Sequence, residues 1–250
     1  MSTLKDQQPT LYILNRNYSS WSMRPWLGLK AAGVNFKEVL LLAGTPAVPD
    51  MGTPESSKML LEAGPTGKVP VLHITQPNGE KLIIFESLAI MEYVAEEYPS
   101  LWPSDRFERA YARSLATEMA TSFAEVRSYD MNIRERFPFD AALFTPAKAK
   151  DLARLESIWA GCRDHVVKTR AAAEDDGFLF GKFSIVDAMY APVMFRIQTY
   201  GLREKISNPL ALEYIERVLN YEHVQEWVRL SLPEKETIKR SHIYPIEPKA

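Results

Sequence analysis

The sequence predicts a two-part chain: a small α/β layer first, then an all-helical second half. Three observations carry this. Four strand-like apolar runs, at residues 11–14, 36–42, 69–74 and 81–85, all fall in the first part. Helix-like segments alternate with them. A proline-rich break at 99–105 (PSLWPSD) then separates them from a stretch with almost no strand signal. The expected domains are therefore residues 10–98 and 105–250.

The elements follow in order. LYIL at 11–14 is a short run of strand formers. A polar, serine-rich turn spans 15–22. Residues 23–32 read as a helix, with Pro25 in its first turn and Gly33 placed to stop it. FKEVLLL at 36–42 is a second strand. The glycines and prolines of 43–54 mark a loop, and 55–61 is one short helix. VPVLHI at 69–74 is a third strand. QPNG at 76–79 reads as a hairpin turn, because Asn-Gly favours type I′ geometry. KLIIF at 81–85 is the antiparallel return strand, and 87–98 is an amphipathic helix.

Beyond the break, residues 106–137 read as one long helix, with Phe107, Tyr111, Leu115, Met119, Phe123 and Val126 recurring at spacings of three and four. Residues 138–146 interrupt. Helices are expected at 148–170, 184–200 and 210–230, with an acidic loop at 171–177. The tail from Pro233 carries three prolines and reads as irregular.

Composition narrows the function. A formal net charge of -2 argues against a nucleic-acid binder that works by bulk charge. With one cysteine, Cys162, neither an intrachain disulfide nor a cysteine-built zinc site can form, and Cys162 reads as a packed residue. His73, His165, His223 and His242 lack metal-ligand spacing, so no metal is expected. No apolar run is long enough to span a bilayer, and the polar opening MSTLKDQQPT has no signal-like apolar region. A cytoplasmic protein without membrane or nucleic-acid partners is the expectation.

Four motifs carry chemistry. An X-Pro bond such as Val69-Pro70 can be cis, which would turn Val69 outward to pair with a peptide-like ligand; the alternative is a trans proline at a strand start. Glu86-Ser87 precedes a helix, whose N-terminus suits a carboxylate while Glu86 suits an ammonium; the alternative is a simple cap. A hydroxyl of Asn17-Tyr18-Ser19-Ser20-Trp21-Ser22 can donate to an anion at a helix start, or merely cap that helix. No histidine lies near to activate a serine as nucleophile. Ser184-Ile185-Val186-Asp187 follows capping-box logic and reads as structural.

In this order and spacing, LYILNRNYSSWSMRPWLGLKAAGV, GPTGKVPVLHI, FESLAIMEYVAEEYP and FSIVDAMYAP resemble the cytosolic glutathione transferase superfamily. SSWS is most similar to the SSC-type segment of the zeta class and of related bacterial serine-type members. The resemblance implies an α/β thioredoxin-like N-terminal domain plus an all-α C-terminal helical domain. It implies glutathione as co-substrate, a small electrophile as its partner in the reaction, and a homodimer.

It also implies roles. Ser19 matches the catalytic hydroxyl, with Ser20 as its neighbour. Val69 and Pro70 match the residue pairing with the cysteinyl backbone and the family's cis-proline. Lys68 matches a polar side chain that reaches the tripeptide. Glu86 and Ser87 match the pair holding the γ-glutamyl end, and Ser184 and Asp187 the family's capping box. Trp21 stands in the place of the zeta-type cysteine, which counts against maleylacetoacetate isomerase chemistry and suits an aromatic substrate. With no cysteine in that segment, mixed-disulfide chemistry is not expected. Tyr111, Ser114, Glu118, Met119 and Ser122 are candidates to line an interdomain cleft, since Glu118 and Ser122 interrupt an apolar stripe; ordinary interhelical packing is the alternative. The implied function is thiolate attack on a small electrophile. Glutathione-dependent isomerisation, ether cleavage or dehalogenation, and a non-catalytic carrier or interaction module, are the alternatives.

Overall fold

The computed structural model describes Leu4 and residues 7–238. His242 and the last twelve residues of the proline-bearing tail lie outside these. The first half alternates β1 (Thr10–Leu14), α1 (Ser20–Ala31), β2 (Lys37–Leu41), α2 (Pro54–Ala63), β3 (Val71–Thr75), β4 (Lys81–Phe85) and α3 (Ser87–Glu97). The sheet order is β2-β1-β3-β4. β1 pairs parallel with β2 and antiparallel with β3, so Tyr12 stands between Val39 and Val71. β3 and β4 are antiparallel, from Val71↔Phe85 to Thr75↔Lys81.

α1 begins three residues before the expected position. Ser19 is its N-cap, accepting from the Ser22 N–H at 3.3 Å, so Ser20, Trp21 and Ser22 form its first turn. Pro25 therefore sits inside the helix, sixth from its start, and not in the first turn. The expected type I′ hairpin turn is also absent: Gly79 has φ 85 but Asn78 is not left-handed. Pro77 instead suits a turn closed by the Gly79 N–H to the Gln76 carbonyl at 2.8 Å, followed by left-handed Gly79.

The second half is helical: α4 (Arg106–Thr121), α5 (Ala124–Arg127), α6 (Pro146–Thr169), α7 (Ile185–Thr199), α8 (Pro209–Leu219) and α9 (Glu222–Ser231). Two expected helices are split. The first breaks at buried Phe123, which is left-handed (φ 59, ψ 35), and α5 restarts with its Glu125 and Val126 N–H groups donating to the Asp151 carboxylate of α6. The second breaks at Asn220, where the Asn220 and Gln225 side-chain amides donate to the Glu216 and Leu219 carbonyls at the end of α8.

α7 is apolar almost all round and buried along nearly its whole length, as a central helix must be. α1 packs against α3, α7 and α9, so one apolar core runs from Leu11 and Trp26 of the first half to Trp159, Tyr190 and Trp227 of the second. The start of α7 is fixed by Asp187, whose carboxylate accepts from the Ser184 N–H and hydroxyl, both at 2.9 Å.

Candidate active site

A cavity of about 260 Å³ opens where the start of α1, the turn before β3, the start of α3 and the α4–α5 corner meet. Lys68, Val69 and Pro70 line one side, with a cis Val69–Pro70 peptide. Val69 precedes the strand ladder, which begins at Val71. Glu86 and Ser87 line another side, and Trp21 a third. The structure thus brings together six sequence-predicted site residues from three separate segments.

Each is held by local chemistry. Glu86 joins β4 to α3 with φ 70 and ψ 125, an unusual backbone for a residue with a side chain. It makes no side-chain cap, so the first-turn N–H groups of α3 have no capping side chain. The Ser87 hydroxyl donates to the Trp21 carbonyl at 2.9 Å, joining the first turns of α1 and α3.

Ser19 and Ser20 are not among the residues lining the cavity, though Ser20 directly precedes Trp21, which does line it. The Ser19 and Ser22 hydroxyl oxygens lie 2.7 Å apart, and Ser22 Oγ also accepts from the Leu14 N–H at 3.2 Å. Ser20 is buried, with its Oγ accepting from Arg196 Nη2 at 3.3 Å.

Positive charge gathers behind Trp21. Arg24 lies 4.1 Å from the Trp21 ring centroid, and Arg127 lies 5.5 Å from it on the cavity side. Arg24 is fully buried, donating to the Met189 and Ser20 carbonyls, while its Nη2 has no hydrogen-bond partner among the described residues. Burial, then the charges of Arg196 and Arg127, lower its pKa. Burial also lowers Arg196 to about 10, against an opposing pull from Asp130.

The cleft candidates from α4 go elsewhere. Met119 is buried in the core. Glu118 makes a two-point ion pair with Arg154 of α6, both contacts at 2.9 Å, which explains the polar interruption of the stripe. The Ser114 hydroxyl donates to the Ala110 carbonyl, and Ser122 ends the helix. Tyr111 lines a separate cavity of about 870 Å³ between α4 and α6, together with Phe107, Phe180 and Cys162. Burial pushes the Cys162 thiol up to about 12. None of the five lines the smaller cavity; from the helical half Ala120 and Arg127 do, beside Thr66 of the first half. Arg127 is brought there by the break at Phe123, with its Nη1 donating back to the Ala120 carbonyl at 2.8 Å. Sequence reasoning missed these three, and only a forecast of that break could have found Arg127.

Residues 18–97 match the family model of the glutathione S-transferase N-terminal domain. A probable maleylacetoacetate isomerase of Caenorhabditis elegans is 34% identical over 120 residues, 47% of this chain and 49% of that protein. The chain spans about half the length of the curated relatives it matches. Among solved structures, a glutathione transferase homologue of Burkholderia (BGR1) with bound glutathione aligns with TM-score 0.59 at 23% identity, over 91% of this chain and 100% of that one. Poplar glutathione transferase F1 aligns with TM-score 0.65 at 19% identity, also over 91% and 100%. The fold is the glutathione transferase architecture: a thioredoxin-like layer followed by an all-helical half.

Proposed function

From a chain that carries a glutathione S-transferase N-terminal domain at residues 18–97, we propose a glutathione transferase that activates the glutathione thiol for attack on a small electrophile. The observation that carries it is the convergence of Lys68, Val69, Pro70, Glu86, Ser87 and Trp21 on one cavity beside the uncapped start of α3. Those residue types suit the tripeptide. The helix start, with the Ser87 N–H, would take the γ-glutamyl carboxylate, Glu86 its ammonium, and the Val69 backbone the cysteinyl amide. Lys68 would reach the glycyl end.

Glutathione supplies a sulfur nucleophile, reactive as the thiolate. A free thiol titrates at about 8.5 and is mostly protonated at neutral pH. The Ser19 hydroxyl would donate to the sulfur, with its own oxygen held by the Ser22 N–H. The start of α1 adds partial positive charge, and buried Arg24 and Arg196 add more beneath Ser20. Trp21, Ala120 and Arg127 would form the wall on the electrophile's side. We extend the proposal to residues 10–98 as the glutathione-binding domain, to a homodimer, and to a cytoplasmic location. Among the described residues no helix is long and apolar enough to cross a membrane.

The test is the ultraviolet thiolate absorbance of glutathione bound to the purified protein, followed against pH beside free glutathione. A clearly lowered thiol pKa is expected. No binding, or an unshifted thiol, would sink the reading in favour of a carrier or interaction module. Sedimentation at working concentration tests the dimer, and a monomer mass would count against it.

A further inference from the structure

The loop at residues 15–18 runs straight into Ser19, and it is held from two distant parts of the chain. On one side Asn17 Oδ1 accepts from the Ile133 and Arg134 N–H groups at 2.9 and 3.0 Å. On the other lies the segment after α9, residues 232–238, which the sequence reads as irregular. It is packed all the same. Glu234 and Ile238 are 7% and 1% exposed, and Ile238 sits in a small apolar cluster with Leu14, Tyr18 and Ala43.

The polar contacts of this segment converge on the same loop. The Glu234 carboxylate accepts from Arg16 Nη1 at 3.2 Å and from the Asn17 N–H at 3.4 Å. Arg134 donates to the Glu234 and Glu236 carbonyls and, at 3.4 Å, to the Tyr18 hydroxyl. The loop after β2 leaves room for the segment. Gly44 has φ 85, and a Cβ there would lie 2.8 Å from the Thr237 carbonyl oxygen. Among the described residues, the segment's hydrogen bonds run back to Ser231 at the end of α9 and across to Arg16, Asn17 and Arg134, and not to Lys68, Glu86 or Ser87.

We propose that residues 232–238 form a strap that positions the Ser19 loop, with Glu234 a positioning residue for thiol activation and not for glutathione binding. The inference rests on the function proposed above. Its physical basis is geometric. A loop without regular structure sets where the Ser19 hydroxyl lies, and small displacements of a catalytic donor cost much of its effect. Arg16 adds a second tether, because it also pairs with Glu38 of β2 while its carbonyl accepts from Trp227 Nε1. Sheet, loop and strap are thereby locked together.

The experiment compares wild type, Glu234→Ala, Glu234→Gln and Gly44→Ala in the full chain. It measures glutathione affinity at a pH below the bound thiol pKa, where the sulfur is protonated and a change in that pKa does not alter Kd, together with the bound thiol pKa, and kcat and KM with a generic aromatic electrophile. Glu234→Ala should raise the bound thiol pKa by roughly one unit and lower kcat by about tenfold, with glutathione Kd changed less than about twofold. Unchanged Kd also shows that the variant is folded. Glu234→Gln keeps an acceptor for the Asn17 N–H and should recover a good part of the loss. Gly44→Ala, which pushes the strap from its other side, should repeat the Glu234→Ala pattern. An unchanged thiol pKa and kcat in both Glu234→Ala and Gly44→Ala would overturn the proposal. So would a Kd that rises in step with the pKa, since the strap would then support the whole site. A wild-type protein that leaves the thiol unshifted overturns the function itself, and the strap's role with it.

Discussion

The Trp21 carbonyl accepts the Ser87 hydroxyl at 2.9 Å, and Pro25 is what leaves it open to do so. In α1 the carbonyl of Trp21 would ordinarily receive the N–H four residues on, and a proline there has none. The vacant acceptor is filled from α3 instead, which fixes the Ser87 side chain at the rim of the cavity. Pro25→Ala restores the missing donor. It should stabilise α1 by at most about 3 kcal/mol while weakening glutathione binding severalfold, because Ser87 loses its anchor. Thermal unfolding and calorimetric titration check both halves. Unchanged affinity would show that the tie between Ser87 and the Trp21 carbonyl does not matter to binding.

Ser19 and Ser22 form a second coupled pair, their oxygens 2.7 Å apart. Ser19 donates to Ser22. Rotating both hydroxyls reverses the bond, so that Ser22 donates to Ser19 and Ser19 is free to donate its own proton to the sulfur, and donors in series polarise one another. Ser19→Ala is expected to keep glutathione affinity but to lower kcat by about tenfold or more, through loss of one charge-assisted hydrogen bond. Ser22→Ala should act in the same direction, more weakly. Thiolate absorbance of the bound complex reads both. If Ser19→Ala leaves the bound thiol pKa and turnover unchanged, the sulfur is served by Ser20 or by the backbone.

Glu86 combines strain with charge. Its left-handed backbone costs about 1–3 kcal/mol for a residue with a side chain. Glu86→Gly should therefore leave stability unchanged or raise it, even though glycine has more freedom to lose on folding. It should also weaken glutathione about tenfold or more, as expected for a lost charge-assisted contact. Glu86→Gln, which keeps the strain and removes the charge, separates the two effects: affinity should fall and stability should not rise. A Glu86→Gly protein that binds glutathione normally would remove Glu86 from the ammonium site.

What could be read from the sequence follows how local each signal is. The four strands rest on short apolar runs and the start of α7 on its Ser184–Asp187 capping pair, so they were legible; the start of α3, which no side chain caps, was legible from the amphipathic run that follows Ser87. That Glu86, Ser87, Lys68, Val69 and Pro70 belong to one cavity was legible because their segments also resemble a known family. The breaks were not. Phe123 is bulky and left-handed, and it is held there by burial and by an α6 carboxylate that caps the helix after it. The apolar spacing of residues 210–230 runs straight through Asn220, where two side-chain amides end α8. Arg127 and the strap depend on these long-range arrangements. Glu118 misled for a similar reason, since a polar residue in an apolar stripe can face a partner such as Arg154 as easily as a cavity.

Asp187 offers a test that belongs to folding and not to chemistry. It is fully buried and accepts from the Ser184 N–H and hydroxyl, the Leu179 N–H and the Tyr214 hydroxyl. Burial outweighs these bonds and pushes its carboxyl up to about 6. In the unfolded chain it titrates near about 3.9. Between those values the folded protein holds a proton that the unfolded chain has released. This group's contribution is therefore fully present below about pH 4, falls as pH rises towards 6, and levels off above. Asp175 acts in the opposite sense, because its ion pair with Arg163 lowers its carboxyl and that contribution is lost on acidification. Asp187→Asn keeps the acceptor oxygen and cannot titrate. Relative to it, wild type should lose about 2 kcal/mol of stability between pH 4 and 6, measured by urea unfolding, with glutathione affinity unaffected. A difference between the two proteins that stays constant over that range would mean that the Asp187 carboxylate is ionised throughout and that its four hydrogen bonds outweigh burial.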